Sequence, residues 1–465
     1  MWLSRAHASL ACRLCRPLIV VALMCVSPAA VADQALPSFA QVRAGHSPSD
    51  AVLLDRHGEP LADLRFDLET RRMDWLTLSA APPALREALL AAEDKRFFEH
   101  TGVDWVAVAS AAWQNLWGSR RGASTLTMQL AGLLDPALRL PAARGARRSV
   151  GQKWDQGLAA VALEKQWSKA QIFEAYLNLA PFRGDLQGVG AASEILFGKS
   201  PASLTHKEAC ILAALLRGPN AKPALVARRA CLLATKLGKP ALCAEITQLA
   251  TTRLDQPRGA RYTAAPHLAR ALLKQAGQRL TTNLEATLQR KLLEEMLRWN
   301  DPGASALVLD NASGEVLAWV GSSGPGLSEA PEVDAVLARR QPGSTLKPFV
   351  YQLAFEQGLI TPASLLHDAP ADLDGGSGAF MPRNYDHRYR GWVSARTALA
   401  SSLNVPTART ATLLGPQALF DRLQAFGLGL DRDAGHHGLA LALGSADVTL
   451  LRLTNAYRAL ANGGL

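Results

Sequence analysis

The chain has 465 residues, 48% of them hydrophobic and 19% charged, a composition of folded domains that excludes extensive disorder and has room for two or three of them. Its formal net charge is +10, which favours anionic partners. With no zinc-type Cys/His spacing and no Lys/Arg tract interleaved with aromatics, anionic lipid or an anionic substrate is expected and nucleic acid is not.

In residues 1–32, Arg5, Arg13 and Arg16 precede an apolar run, Leu18–Val26, followed by Pro28 and Ala30-Val31-Ala32. A basic start, a short apolar core and A-x-A make an export signal, cleaved before Asp33. The run is shorter than the roughly 20 residues that span a bilayer. Cys12, Cys15 and Cys25 lie here, leaving Cys210, Cys231 and Cys243. Cys231 and Cys243 either pair in an oxidising compartment or stay as buried thiols. Residues 33–80 are read as a short β lead-in, with Ala51–Leu54 and the segment around Gly58 forming a hairpin.

From 81 to 225 the apolar spacing is helical, broken by Gly and Pro. A helix over Ala84–Ala92 runs into Glu93-Asp94, with Phe97 and Phe98 just beyond. A carboxylate against apolar and aromatic surface loses hydration, so its pKa rises toward values useful for proton transfer. Gly122-Ala123-Ser124-Thr125-Leu126-Thr127-Met128-Gln129 follows, a small, hydroxyl-rich turn able to aim N–H groups and side-chain oxygens at an anion. Each half alone also reads as an ordinary helix end or polar loop. In order, E-D-x-x-F-x-x-H-x-G and G-x-S-T-L-T-x-Q resemble the first two motifs of the peptidoglycan glycosyltransferases of family 51. These are the polymerase modules of class A penicillin-binding proteins, and S-T-L-T-M-Q is similar to the 1C type. Lys153 sits on a helix that follows. Ser168–Asn178 resembles the family's S-K-x-x-I-x-E-x-Y-L-N and opens on a capping box, as does Thr205–Glu208. Phe173 and Tyr176 read as core.

Residues 226–300 read as a helical connector, and Ala304–Leu309 with Val316–Gly321 as a hairpin opening a further domain over 301–465. Ser344-Thr345-Leu346-Lys347 is S-x-x-K, and Ser402-Leu403-Asn404 lies downstream. One turn between Ser344 and Lys347 puts hydroxyl and amine on one face, so that the lysine can take the serine's proton. The pair of motifs resembles the penicillin-interacting serine enzymes, whose third element, K-T-G, does not occur after Asn404. The expected catalytic set there is Ser344, Lys347, Ser402 and Asn404, in a transpeptidase domain read as incomplete and inactive as written.

The resemblance implies a multidomain protein: a mainly α, lysozyme-like glycosyltransferase domain, then an α/β, β-lactamase-like one. It implies an uncleaved N-terminal anchor, where the residues themselves suggest cleavage, and a place on the periplasmic side of the inner membrane. Its implied substrates are lipid II and the growing glycan strand, with other cell-wall synthesis proteins as partners. Glu93 would be the general base, and Asp94, Ser124, Thr125, Gln129, Lys153 and Gln156 would hold substrate. Arg147 and Arg148 are further candidates for charge, and a divalent Mg or Mn at the diphosphate is implied, although no ligand set for a metal is visible. Four positions depart from the family: Gly132 and Gln152 replace basic residues, Gln156 stands where many members have glutamate, and Asp155 is negative where the 1C type is positive. Losing cations around a diphosphate weakens its binding. Two other readings stay open: a remnant that binds lipid-linked precursor or assembly partners without turnover, and a muramidase-like hydrolase.

Overall fold

The structure is a computed structural model that describes residues 36–116, 124–138, 150–256, 259–374 and 379–464. The chain divides into two compact units, Met1–His46 with Asp74–Asp255, and Ser47–Met73 with Gln256–Leu465.

The first unit is helical. Its described elements are α1 (Phe39–Ala44), α2 (Pro83–Glu93), α3 (Trp105–Leu116), α4 (Leu126–Leu134), α5 (Val150–Gln166), α6 (Lys169–Leu179), α7 (Gly188–Phe197), α8 (His206–Leu216), α9 (Pro223–Lys236) and α10 (Cys243–Arg253). Helix α2 starts where Pro83 presets φ and needs no N–H. It buries Ala84, Leu85, Ala88 and Leu89, one face at helical spacing, against α8. Each fully buried leucine contributes about 1.5–3 kcal/mol. The helix ends as Asp94 leaves helical geometry, which sets Glu93 at its last turn. Ser168 opens α6 with the expected capping box, its hydroxyl accepting from Gln171 N–H and the Gln171 side chain accepting from Ser168 N–H. Gly102 has φ +82°, and a Cβ there would sit 2.7 Å from Val161 N, so the motif glycine is required for α5 to pass.

Helices α9 and α10 were expected in a connector, but they pack on α8 and complete the first unit. A disulfide, Cys231–Cys243, ties the two together. Cys210 is free and buried, and burial pushes its thiol up to about 11.

In the second unit, β1 (Asp50–Leu54) and β2 (Pro60–Arg65) form the expected antiparallel hairpin. The Asp55 carboxylate ties its turn by accepting the N–H groups of His57 and Glu59. β1 also pairs in parallel with β3 (Arg279–Thr281), giving the order β2-β1-β3. The lead-in strands therefore belong with the later chain and not with the helical unit, a correction that non-local strand pairing hides from sequence. Buried Arg71 bridges Asp50 and Asp63 on these strands at 2.8 and 3.0 Å. After α11 (Pro266–Leu272) and α12 (Ala286–Trp299), β4 (Ala306–Leu309) and β5 (Val316–Val320) form the second expected hairpin. Buried Gln289 of α12 clips it on, donating to Ala264 O and Trp319 O and accepting from Trp319 N–H. Then come α13 (Lys347–Glu356), the short strands β6 (Leu365–Asp368), β7 (Leu373–Asp374), β8 (Ala379–Phe380) and β9 (Gly391–Ser394), α14 (Ala395–Ala400) and α15 (Asn404–Leu414). Phe349, Val350 and Tyr351 of α13 are buried in a core shared with α15.

Among the described residues no helix is long and apolar enough to cross a membrane. The N-terminal segment that raised this question lies outside them.

Replacing Cys231 and Cys243 together by serine removes a link across 12 residues. It should lower the first unit's stability by about 3 kcal/mol, seen as a fall in the urea midpoint under oxidising conditions. An unmoved midpoint would mean that helix packing alone holds α9 and α10.

Candidate active site

A cleft of about 780 Å³ opens in the first unit where α2 ends. Its walls come from the turn after α2, the starts of α3 and α4, and Arg217 and Lys236 at the ends of α8 and α9. Glu93 projects into it with its side chain 10% exposed. Gln129 of α4 donates Nε2–H to Glu93 Oε2 at 3.0 Å, and Tyr176 of α6 donates its hydroxyl to Gln129 Oε1 at 2.9 Å. Tyr176 is 2% exposed. Burial first, and then the charge of Glu93, push its phenol well above the usual value, so it remains a donor. A donor on Oε1 fixes which end of the Gln129 amide faces Glu93. One carboxylate oxygen is thereby pinned, while Oε1 is buried without a hydrogen bond among the described residues, 3.5 Å from Arg217 Nε.

The neighbouring carboxylate also lines the cleft, but its oxygens are engaged by protein groups. Asp94 is buried, with its oxygens 3.0 Å from His100 Nε2, and Oδ2 accepts Leu126 N–H at 3.0 Å. It ties the turn after α2 to the start of α4 while also lining the cleft. Thr125 is similar. Its buried hydroxyl donates to Gly102 O at 2.6 Å and accepts Met128 N–H at 3.1 Å as the cap of α4. Ser124 is exposed on the cleft, as expected of a ligand contact.

Lys153 is exposed on α5 and is not among the residues lining the cleft. Gln156, one turn on, is buried, and its Nε2 has no partner among the described residues. Gly132 is buried within α4, where a lysine would have to displace core. Arg147, Arg148, Gly122 and Ala123 lie outside the described residues.

The cations that do line the cleft were missed. Lys95 is exposed there, and Arg96 pairs with Asp104, its Nε at 3.1 Å. Arg217 and Lys236 donate to Ala92 O and Ala91 O, carbonyls that the end of α2 leaves unpaired. The signal available in sequence was weak: a basic residue at the close of each of two helices that must fold back on a third. For a divalent metal, no group of three or more His, Cys, Asp or Glu side chains converges among the described residues. Asp94 and Asp104 are already engaged by protein partners, so this donor set does not fit a protein-held cation.

The second unit holds the other expected cluster. Lys347 is 1% exposed, and its Nζ donates to Ser402 O at 2.5 Å, Ser402 Oγ at 3.1 Å and Asn404 Oδ1 at 2.6 Å. Desolvation alone brings its amine down to about 8. Ser344 is exposed, and among the described residues no hydrogen bond joins it to Lys347. Lys347 donates across to the Ser402–Asn404 turn, while Ser344 lies on a short 3-10 segment, Gly343–Leu346, that leads directly into α13. Ser402 takes a left-handed φ of 51°. A second missed residue, Asn384, organises this turn: its Oδ1 accepts Asn404 N–H and Val405 N–H, while its Nδ2 donates to fully buried Asp368.

Compared with known families, residues 57–237 match the Transglycosylase family and residues 304–465 the penicillin binding protein transpeptidase domain. The chain is 38% identical over 407 residues to penicillin-binding protein 1C of Escherichia coli K12, covering 84% of this chain and 51% of that protein. It is 31% identical over 420 residues to penicillin-binding protein 1B of Vibrio cholerae, covering 82% and 52%. The crystal structure of penicillin-binding protein 1A from Haemophilus influenzae aligns at 17% identity with a TM-score of 0.46, covering 90% of this chain and 68% of that one. The chain thus spans about half the length of the curated relatives it matches.

Lys347 carries a pH prediction. Its folded value of about 8 lies below the roughly 10.4 of an unfolded lysine. Between these values the unfolded chain binds more protons, so stability rises with pH. Wild type should gain on Lys347→Met in urea midpoint as pH goes from 8 to 10. A difference that stays flat over that range would contradict the lowered value.

Proposed function

Because this chain belongs to the class A penicillin-binding proteins, with a transglycosylase domain followed by transpeptidase-domain sequence, we propose that its cleft joins lipid-linked disaccharide units into glycan strands. The supporting observation is Glu93, which lines the cleft with Oε2 held by Gln129 and with Oε1 shielded, 3.5 Å from Arg217 Nε and without a hydrogen-bond partner among the described residues.

In this reading the 4-hydroxyl of the acceptor sugar gives its proton to Glu93 Oε1. The freed oxygen forms a bond to the anomeric carbon of the donor from the face opposite the diphosphate. The carbon–phosphate oxygen bond breaks, and the electron pair leaves with the lipid diphosphate, inverting the centre. Charge develops on the leaving diphosphate, so cations nearby stabilise the transition state. Here these are Lys95, Arg217 and Lys236, instead of the motif cations that this sequence lacks or turns outward. Ser124 supplies a hydroxyl at the same wall. Tyr176 and Gln129 act by position, holding the base in one rotamer. The substrate's lipid places the work at the outer face of the inner membrane, alongside other cell-wall synthesis proteins.

Glu93→Gln should lower the rate of glycan polymerisation from lipid II at least about 10²-fold, the lower bound for losing a general base. Strand synthesis at the wild-type rate would remove the reading. Absence of any product from wild type would favour a remnant that binds precursor without turnover, and reducing ends released from finished peptidoglycan would favour a muramidase. Tyr176→Phe frees the amide of Gln129 to turn, and should lower kcat about tenfold, equivalent to about 1.4 kcal/mol, with KM and Tm little changed. A fall in Tm with kcat intact would make Tyr176 core only.

A further inference from the structure

In the second unit, the loop that leads into β9 carries a feature with no part in the polymerase reading. Arg383, Tyr385, Arg388, Tyr389, Arg390 and Trp392 interleave cations with aromatic rings, so the chain does hold one short tract of this kind. All six are exposed, Tyr385 at 99%. Rings gathered in water contribute nothing to the core, and such a cluster marks a surface with a partner.

The loop is held from beneath. Asn384 Nδ2 donates to Arg388 O at 2.8 Å and His387 N–H to Asn384 O at 3.1 Å, while Arg390 N–H donates to fully buried Asp368 at 2.9 Å. His387 keeps a left-handed φ of 55°, which outside glycine only constraining surroundings maintain. A loop fixed in this way loses little freedom on binding. The β6–β9 ribbon extends the surface. His367 pairs with Trp392 and Leu365 with Ser394, which puts these four on one face and leaves Leu366 and Asp368 buried on the other. The His367 ring stacks on Trp392 at 4.6 Å, and Leu365 is exposed on the same face.

An apolar face edged by arginine and tyrosine has the make-up of a protein interface, where Trp, Tyr and Arg carry most of the binding energy. Leu365 argues against a sugar ligand, because an aliphatic side chain gives a sugar ring no flat surface to stack on. Charge sets the partner's sign. Residues 381–392 carry three arginines and one carboxylate, Asp386, which Arg390 engages at 2.9 Å. We propose that the outer face of the β6–β9 ribbon and the loop before β9 form a docking surface for an acidic protein segment. An apolar side chain of that segment seats on Leu365 and Trp392, and its carboxylates meet Arg383 and Arg388. The proposal stands apart from the polymerase reading and does not depend on it.

The test is selection of a displayed library of random dodecapeptides on the full chain, with depletion on Trp392→Ala, followed by affinity measurement of the best enriched peptide. Enriched sequences should set Asp or Glu close to Leu, Phe or Trp. The synthetic peptide should bind wild type at least about tenfold more tightly than Arg388→Glu, a variant the selection never met. Arg388→Lys should restore part of that loss, and added salt should weaken binding. Arg388→Glu leaves the His367–Trp392 stack in place, so its loss is not a packing defect, and its urea midpoint should match wild type. Enriched peptides without acidic residues, or equal affinity for wild type and Arg388→Glu, overturn the proposal. An uncross-linked glycan strand that displaces the peptide at similar concentration overturns the protein partner and assigns the surface to glycan.

Discussion

The hydrogen bond from Gln129 to Glu93 is the contact on which the cleft depends. A carboxylate at the last turn of a helix can swing through several rotamers, and a base that swings is seldom in place. Gln129 alone would not stop this, because an amide can offer either end. Tyr176, buried and held protonated, offers only a donor, and so dictates that Gln129 presents its own donor to Glu93. The three residues come from α2, α4 and α6, so the orientation of one oxygen is an outcome of how three helices pack.

Two adjacent acids meet opposite fates for the same reason. Glu93 is still helical and points to the cleft, whereas Asp94 leaves helical geometry and turns beneath it. There it receives His100 and the first N–H of α4. That N–H would otherwise be unsatisfied at the helix start, so Asp94 fixes where α4 begins and hence where Gln129 sits. Thr125 adds a second tie from the same turn to Gly102. The pair E-D is thus one carboxylate held at the cleft by Gln129 and one that keeps the turn in register with α4.

Much of this was legible in the chain. The helix ending at Glu93, the capping boxes and both hairpins follow from local spacing and turn chemistry. Glu93, Ser124 and Gln129, named from the motifs, all line the cleft. What sequence concealed was non-local. Tyr176 looked like core, which it is, and only the approach of α6 to α4 gives its hydroxyl a further task. Lys153 was expected to reach the diphosphate, yet α5 turns it outward, while Arg217 and Lys236 arrive from helices assigned to the domain's edge or to a connector. The strands of residues 50–65 looked like a prelude to the helices that follow them, and pair instead with a strand over 200 residues later.

The second unit solves a related problem with similar parts. Among the described residues Lys347 is buried without a carboxylate partner, a costly state that lowers its basicity and leaves it dependent on neutral acceptors. Those acceptors belong to a turn that contains Ser402 at positive φ, and a strained turn persists only where its surroundings hold it. Asn384 supplies that hold, gripping the start of α15 with its oxygen and fully buried Asp368 with its nitrogen. In both units a side-chain amide converts a buried, fixed neighbour into the orientation of a reactive group. The amide is chosen for the same property each time: it carries donor and acceptor together, so fixing one end leaves the other no choice. An acid in its place would offer acceptors only, and an aliphatic residue would pass on nothing.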